Sequence, residues 1–232
     1  MRILGAIVFF LFLILLGVAE SGAEEKGVLM VDRFSGKLDE HGIPSGWTLE
    51  GDLNDQSKIS VEREKDNHFL HFFCSDDSFG IKKDIKFDIR NYPYLSWRWK
   101  VTQLPKGGDI REKDLDEEAG QIYVIFPRFP AMLNSLSVGY IWDSTAPVGL
   151  SGTSKAYGKM KYVVLQSGSA KLNQWVSETR NVYEDFKRLF QEEPPRAGAV
   201  LLYINSQHTK GTDECFYDDI FFSSSPPDIS RK

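Results

Sequence analysis

Few side chains in this sequence stand at the spacings that catalysis demands. His68 and His71 are three apart in a strand-like run, which places them on opposite faces. They cannot share a metal there as they would on a helix. His41 and His208 fall in loop-like segments. Gly149-Leu150-Ser151-Gly152 lacks the last glycine of a nucleophile elbow and its strand–turn–helix setting. No phosphate loop, Cys-x-x-Cys or paired zinc motif occurs. Doubled acids stand at Asp76-Asp77, Glu117-Glu118, Glu192-Glu193 and Asp218-Asp219. Neighbours on a strand point apart, whereas a glycosidase needs two carboxylates facing one bond at ~5–10 Å. Catalysis is not the first expectation, although carboxylates distant in sequence can still meet in a fold.

Binding chemistry is better supplied. Tyr123, Tyr140, Trp142, Tyr162 and Tyr203 sit in strand-like runs that also carry Gln121, Asp143, Gln166 and Asn205. Sugar faces stack on flat rings while amides and charges take the hydroxyls. The same rings also suit a core or a sheet surface. The organising stretch is Tyr94-Leu95-Ser96-Trp97-Arg98-Trp99-Lys100-Val101. Alternation sends Leu95, Trp97, Trp99 and Val101 to one face and Ser96, Arg98 and Lys100 to the other. The tryptophans anchor a core, so Arg98 and Lys100 point outward. Tyr123 is placed on the same outer surface, and Trp142, near a strand end and a Gly/Pro-rich loop, is expected to project past the sheet edge. Arg98, Lys100, Tyr123 and Trp142 are thus the predicted ligand-binding residues, suited to a neutral or acidic saccharide.

The elements that must position them are mostly strands. Short apolar or alternating runs recur from Val28 to Phe222, separated by turns rich in Gly and Pro. One helix is expected: Asn181 caps it, Val182, Phe186, Leu189 and Phe190 form its apolar face, and Pro194-Pro195 close it. Residues 103–120 have no apolar period, and their charge density reads as a solvated loop or a lid beside a site. The pattern predicts an all-β fold, a two-sheet antiparallel β-sandwich with one late α-helix; a closed barrel is the alternative.

The N-terminus reads as a leader. Arg2, an apolar run from Ile3 to Val18 and the small residues Ser21 and Ala23 have the layout of a secretory signal peptide. Residues 1–23 are expected to be removed, 24–222 to form one sandwich domain, and 223–232 to be a disordered tail. The protein is then periplasmic or secreted, with no stable membrane span after leader removal. A net charge of −5 argues against nucleic acid and against anionic lipid. The two cysteines, Cys74 and Cys215, leave a disulfide and a pair of buried free thiols equally open.

Five stretches together, YLSWRWKV, LPKGGDIREKDLDEEAGQIYVIF, VGYIWD, WVSETRNVYEDFKRLFQEEPPRAGAV and CFYDDIFF, resemble the bacterial domain-of-unknown-function family 3047. The likeness runs through nearly all of residues 28–222. It implies an exported protein with a galactose-binding-like jelly roll, and it brings no catalytic residues. The ending Tyr217-Asp218-Asp219 is similar to the terminal strand of carbohydrate-binding sandwiches. Alternation on that strand groups Phe216, Asp218, Ile220 and Phe222 on one face, so one aspartate meets a largely apolar layer and needs a partner. Arg33 or Arg98 would serve. Sandwiches of this kind also often hold a structural Ca²⁺ between first and last strands, which makes Asp32 and Asp218 the metal candidates. The functional expectation is a non-catalytic binder of a glycan or cell-envelope saccharide. A polysaccharide hydrolase or lyase on the same fold, and an envelope assembly protein, are the alternatives.

Overall fold

The computed structural model describes residues 27–227. The expected leader and the last residues of the tail lie outside them. Thirteen strands form two sheets packed face to face. The six-stranded sheet contains β1 (Val28–Asp32), β3 (Lys58–Glu64), β4 (Asn67–Ser75), β6 (Tyr94–Gln103), β11 (Val176–Asn181) and β13 (Thr212–Ser223). Its order is β11-β6-β13-β4-β3, and β1 pairs with the far end of β13. The seven-stranded sheet contains β2 (Trp47–Glu50), β5 (Ser78–Phe87), β7 (Gly120–Phe126), β8 (Leu136–Asp143), β9 (Ser151–Thr153), β10 (Met160–Ser167) and β12 (Ala197–Asn205), in the order β2-β5-β12-β7-β8-β10-β9. The sandwich is antiparallel except for β8 and β10, which run parallel. Strands β2 and β9 are short and lie in stretches whose turn residues mask any alternation.

The core is built as the tryptophan stretch predicts. Leu95, Trp97, Trp99 and Val101 are all buried. Trp97 meets Tyr140 with ring centroids 5.5 Å apart, and Trp99 meets Trp142 at 5.8 Å, so β6 and β8 pack across the middle of the sandwich. Tyr217 fastens the sheets together: its Oη donates to the Gln121 carbonyl at 3.0 Å and accepts from the Gln121 amide at 2.6 Å.

A four-residue helix α1 (Ala131–Asn134) and the helix α2 (Val182–Phe190) complete the fold. Asn181 caps α2 through a bond from the Glu184 amide at 3.1 Å, and Gln191 ends it at φ 58°. Phe186 packs on Phe126 at 4.6 Å, which closes one end of the core.

Three expectations are corrected. Strand β13 does not alternate throughout: Asp219, at φ 49°, sits in a bulge where the register to β6 shifts between Asp218 and Phe221. The extra residue turns Tyr217, Ile220 and Phe222 to the core side, leaving Phe216 and Asp218 on the outer side. Ser223 belongs to β13 and not to the tail. The charged stretch 103–120 is not wholly solvated. Residues 111–115 are exposed, but Asp116, Glu117 and Glu118 are buried, the last two at 0% and 1% exposure.

Candidate functional site

The outer face of the seven-stranded sheet carries an open cleft of about 1280 Å³. Its floor comes from β5, β12, β7 and β8. The inward residues of β12 are Val200, Leu202 and Ile204, so Ala199, Leu201, Tyr203 and Asn205 face out. Register then places Tyr123 and Gln121 of β7 beside Leu201 and Tyr203.

Each outward tyrosine lies against a glycine directly across the ladder. Tyr203 is opposite Gly80, Tyr123 opposite Gly139, and Tyr162 opposite Gly152. A Cβ on Gly139 would fall 2.3 Å from Cε1 of Tyr123, and one on Gly80 would fall 2.6 Å from Cδ2 of Tyr203. With no side chain in the way, the rings settle onto the sheet instead of standing out from it. Glycines inside strands were the signal for this arrangement in the sequence, since a strand-interior glycine marks a close approach.

A chain of hydrogen bonds fixes the polar part of the floor. Tyr123 Oη donates to Gln121 Oε1 at 2.6 Å, and Gln121 Nε2 donates to Asn205 Oδ1 at 2.7 Å and to the Glu118 carbonyl at 2.8 Å. Asn205 Nδ2 donates to the Asp116 carbonyl at 2.7 Å. Tyr203 Oη is paired with Ser78 Oγ. Burial raises the Tyr123 phenol well above its ordinary pKa, and the charges of Glu118 and Asp116 add to this. Burial likewise raises the Tyr203 phenol. Both stay neutral hydrogen-bonding groups. Charges of both signs stand around the rim: Lys82 is paired with Glu50, while Asp84, Lys86 and Arg196 are exposed.

The predicted ligand residues are divided among three places. Only Tyr123 lines the cleft. Trp142 is fully buried, with Nε1 donating to the Gly168 carbonyl at 3.2 Å. It shares the parity of Tyr140 on β8, and both rings fill the core, so it does not project past the edge. Arg98 and Lys100 lie on the outer face of the other sheet, with the whole sandwich between them and Tyr123. Their charges are already taken. Arg98 Nε donates to Asp218 Oδ2 at 3.0 Å and lies 3.4 Å from Asp219 Oδ2, with its guanidinium 4.8 Å from the Trp175 ring centroid. Lys100 Nζ sits among Phe216, Trp175 and Phe69, at 4.1, 5.3 and 5.6 Å from their centroids.

Asp32 and Asp218 do not fit calcium. Asp32 accepts from the Phe34 amide, the Trp47 indole and Lys83 Nζ at 2.7, 2.8 and 2.8 Å. Asp218 accepts from Arg98, from Asn67 Nδ2 at 2.8 Å and from the Asp219 amide at 2.7 Å. Both carboxylates are filled by donors that include a fixed cation, which would repel a metal ion. Of the histidines, His71 lies between Glu62 and Glu214 at 2.7 and 2.8 Å, stacked on Phe216. Cys74 and Cys215 are both buried free thiols.

The family model for DUF3047, described as a protein of unknown function, matches residues 46–221, from just before β2 into β13. The chain belongs to DUF3047. No curated protein matches it. Among solved structures, this DUF3047 chain is similar to the family 11 carbohydrate-binding module of the cellulosomal cellulase Lic26A-Cel5E of Clostridium thermocellum. Identity is 10%, the TM-score is 0.49, and the match covers 88% of this chain and 98% of that one. It is also similar to the family 30 module of the cellulosomal cellulase Cel9D-Cel44B of the same organism, at 8% identity and TM-score 0.48, covering 86% and 99%. The agarase AgWH50C matches at 10% identity and TM-score 0.39, covering 87% of this chain and 25% of the agarase. At these values the likeness concerns the course of the chain alone.

Proposed function

We propose that this DUF3047 protein is an exported, non-catalytic saccharide-binding sandwich, and that its site is the cleft on the seven-stranded sheet. The observation that carries the reading is the in-register pairing of Tyr203 with Gly80 and Tyr123 with Gly139. It gives flat, immobile aromatic surface beside amides whose orientation is already fixed. Rings held this way bind at little further entropic cost. An open cleft of about 1280 Å³ has room for several sugar units. Rim charges of both signs suit a neutral glycan. Export rests on the leader-like N-terminus, and a mature chain beginning after Ala23 is what N-terminal sequencing from the host should find.

Calorimetry against a panel of neutral and uronic-acid glycans tests the reading. Binding to a neutral chain, weakened by Tyr203→Ala and unchanged per folded molecule in Lys100→Ala, supports it. Failure of every glycan to bind, or binding indifferent to Tyr203, overturns it. Release of reducing ends or unsaturated products from a bound glycan would replace it with a hydrolase or lyase.

A further inference from the structure

Most buried carboxylates in this protein are well supplied with donors. Asp143 accepts from the amides of Ile110, Thr145 and Ala146. Asp185 accepts from Arg180, Arg188 and Tyr140. Asp213, Glu117 and Glu118 differ, each with a buried carboxylate oxygen that accepts no regular hydrogen bond.

Asp213 is 0% exposed, and neither of its carboxylate oxygens accepts a hydrogen bond of regular geometry, although the Cys74 thiol and the Ser206 hydroxyl lie beside it. It is the second residue of β13, on the inward side in the same row as Cys215 and Tyr217, and stands opposite Cys74 of β4. Glu117, also 0% exposed, reaches into the turn between β12 and β13, where its Oε1 accepts the amides of His208 and Thr209. Its Oε2 has no partner, and Thr209 Oγ1, one residue along that turn, is buried and unpartnered too. The turn is held shut by Ser206 N to the Asp77 carbonyl at 2.9 Å and Gly211 N to the Ser206 carbonyl at 3.2 Å. Glu117 is the charged neighbour acting on Asp213, and its sign is the same. Among the described residues, the ion-pair partner of Glu117 is His208, 3.9 Å from Oε1 on an exposed ring. Two buried carboxylates of like sign that act on one another, with oxygens left unfilled, are a costly arrangement unless a counter-charge is present.

We propose that Glu117 Oε2, the Asp213 carboxylate and Thr209 Oγ1 hold a hard divalent cation of the calcium class, between the 116–118 segment and the 206–211 turn. All the free donors are oxygens, which selects a hard ion. Among the described residues no three His, Cys, Asp or Glu side chains converge as a metal site. The remaining coordination must therefore come from hydroxyl, main-chain and water oxygens, as calcium accepts and zinc does not. The site is separate from Asp32 and Asp218, which are filled by Lys83 and Arg98. It also bears on the cleft. The carbonyls of Asp116 and Glu118, on either side of Glu117, receive Asn205 and Gln121 from the cleft floor, so the ion would fix the segment that orients those amides.

The test uses the folded chain, stripped with a chelator and then titrated with calcium alone, followed by calorimetry and by thermal melting. The expected result is saturable binding at one ion per chain, a rise in Tm, and affinity lowered about 100-fold in Asp213→Asn and Glu117→Gln. In the metal-free state both amide variants should melt at or above the wild type, since each removes an unpaired buried charge. No saturable calcium binding by the wild type would overturn the proposal, as would binding that both variants leave unchanged. If either variant fails to fold, the wild-type titration decides.

Discussion

The two outer faces of the sandwich carry similar raw material and use it oppositely. On the six-stranded sheet, Arg98 is held by Asp218 and Asp219, Lys100 by three aromatic rings, and His71 by two glutamates. Cations and rings there satisfy one another and leave little to offer a ligand. On the seven-stranded sheet the rings of Tyr123 and Tyr203 lie on glycines, the amides bond along the floor, and an open cleft remains. An outward-facing polar row is thus not by itself a site. What separates the faces is whether the row's partners come from within.

The largest effects should come from the wall the faces share. Trp142→Ala should cost about 3–5 kcal/mol, as Trp97→Ala and Trp99→Ala should, because each removes a buried ring and leaves a cavity. Denaturant melts would show this, and a Trp142 variant of wild-type stability that lost glycan binding would return Trp142 to the site.

Arg98→Ala comes next. It strands Asp218, which is 0% exposed, so a loss of about 3 kcal/mol is expected. This is far more than a solvated arginine would show. Binding by the folded fraction should stay at the wild-type level, and a fall in affinity would mean that the six-stranded face is not closed.

Gly139→Ala probes the opposite face. The new methyl must displace the Tyr123 ring, at a cost of about 1–3 kcal/mol, and should weaken binding together with stability. Retained affinity with a shifted ring would separate the flat floor from recognition.

The smallest effect concerns pH at the edge of the six-stranded sheet. Glu178 accepts Gln166 Nε2 at 2.6 Å, and burial raises its pKa. The native state then holds that proton more readily than the unfolded chain does. Its contribution to stability falls as pH rises from the ordinary carboxylate value through the raised one. Urea midpoints should therefore climb slightly as pH falls from neutrality toward the ordinary carboxylate range, and Glu178→Gln should flatten that part of the slope.

Much of this architecture was legible in the residues themselves. The period of two in Leu95, Trp97, Trp99 and Val101 and the capped, one-faced stretch from Asn181 to Phe190 are local patterns. Backbone geometry turns such patterns directly into faces. Family membership was legible too, because it rests on the order of such stretches. The site was legible only in part. Tyr123 could be assigned an outward direction, but Arg98 and Lys100 could be too, and alternation does not say which sheet a strand joins. That depends on pairings such as β12 with β5 and β7, made between segments far apart in the chain. The bulge at Asp219 reversed the parity of the last residues of β13, from Ile220 to Ser223, through one extra residue. The acids at 116–118 were hidden for the same reason. Their charge predicts solvent, and only the closure of the 206–211 turn over Glu117 removes it. Local periodicity determines which way a side chain points from its own strand; what it meets there is decided by contacts that no neighbouring residue encodes.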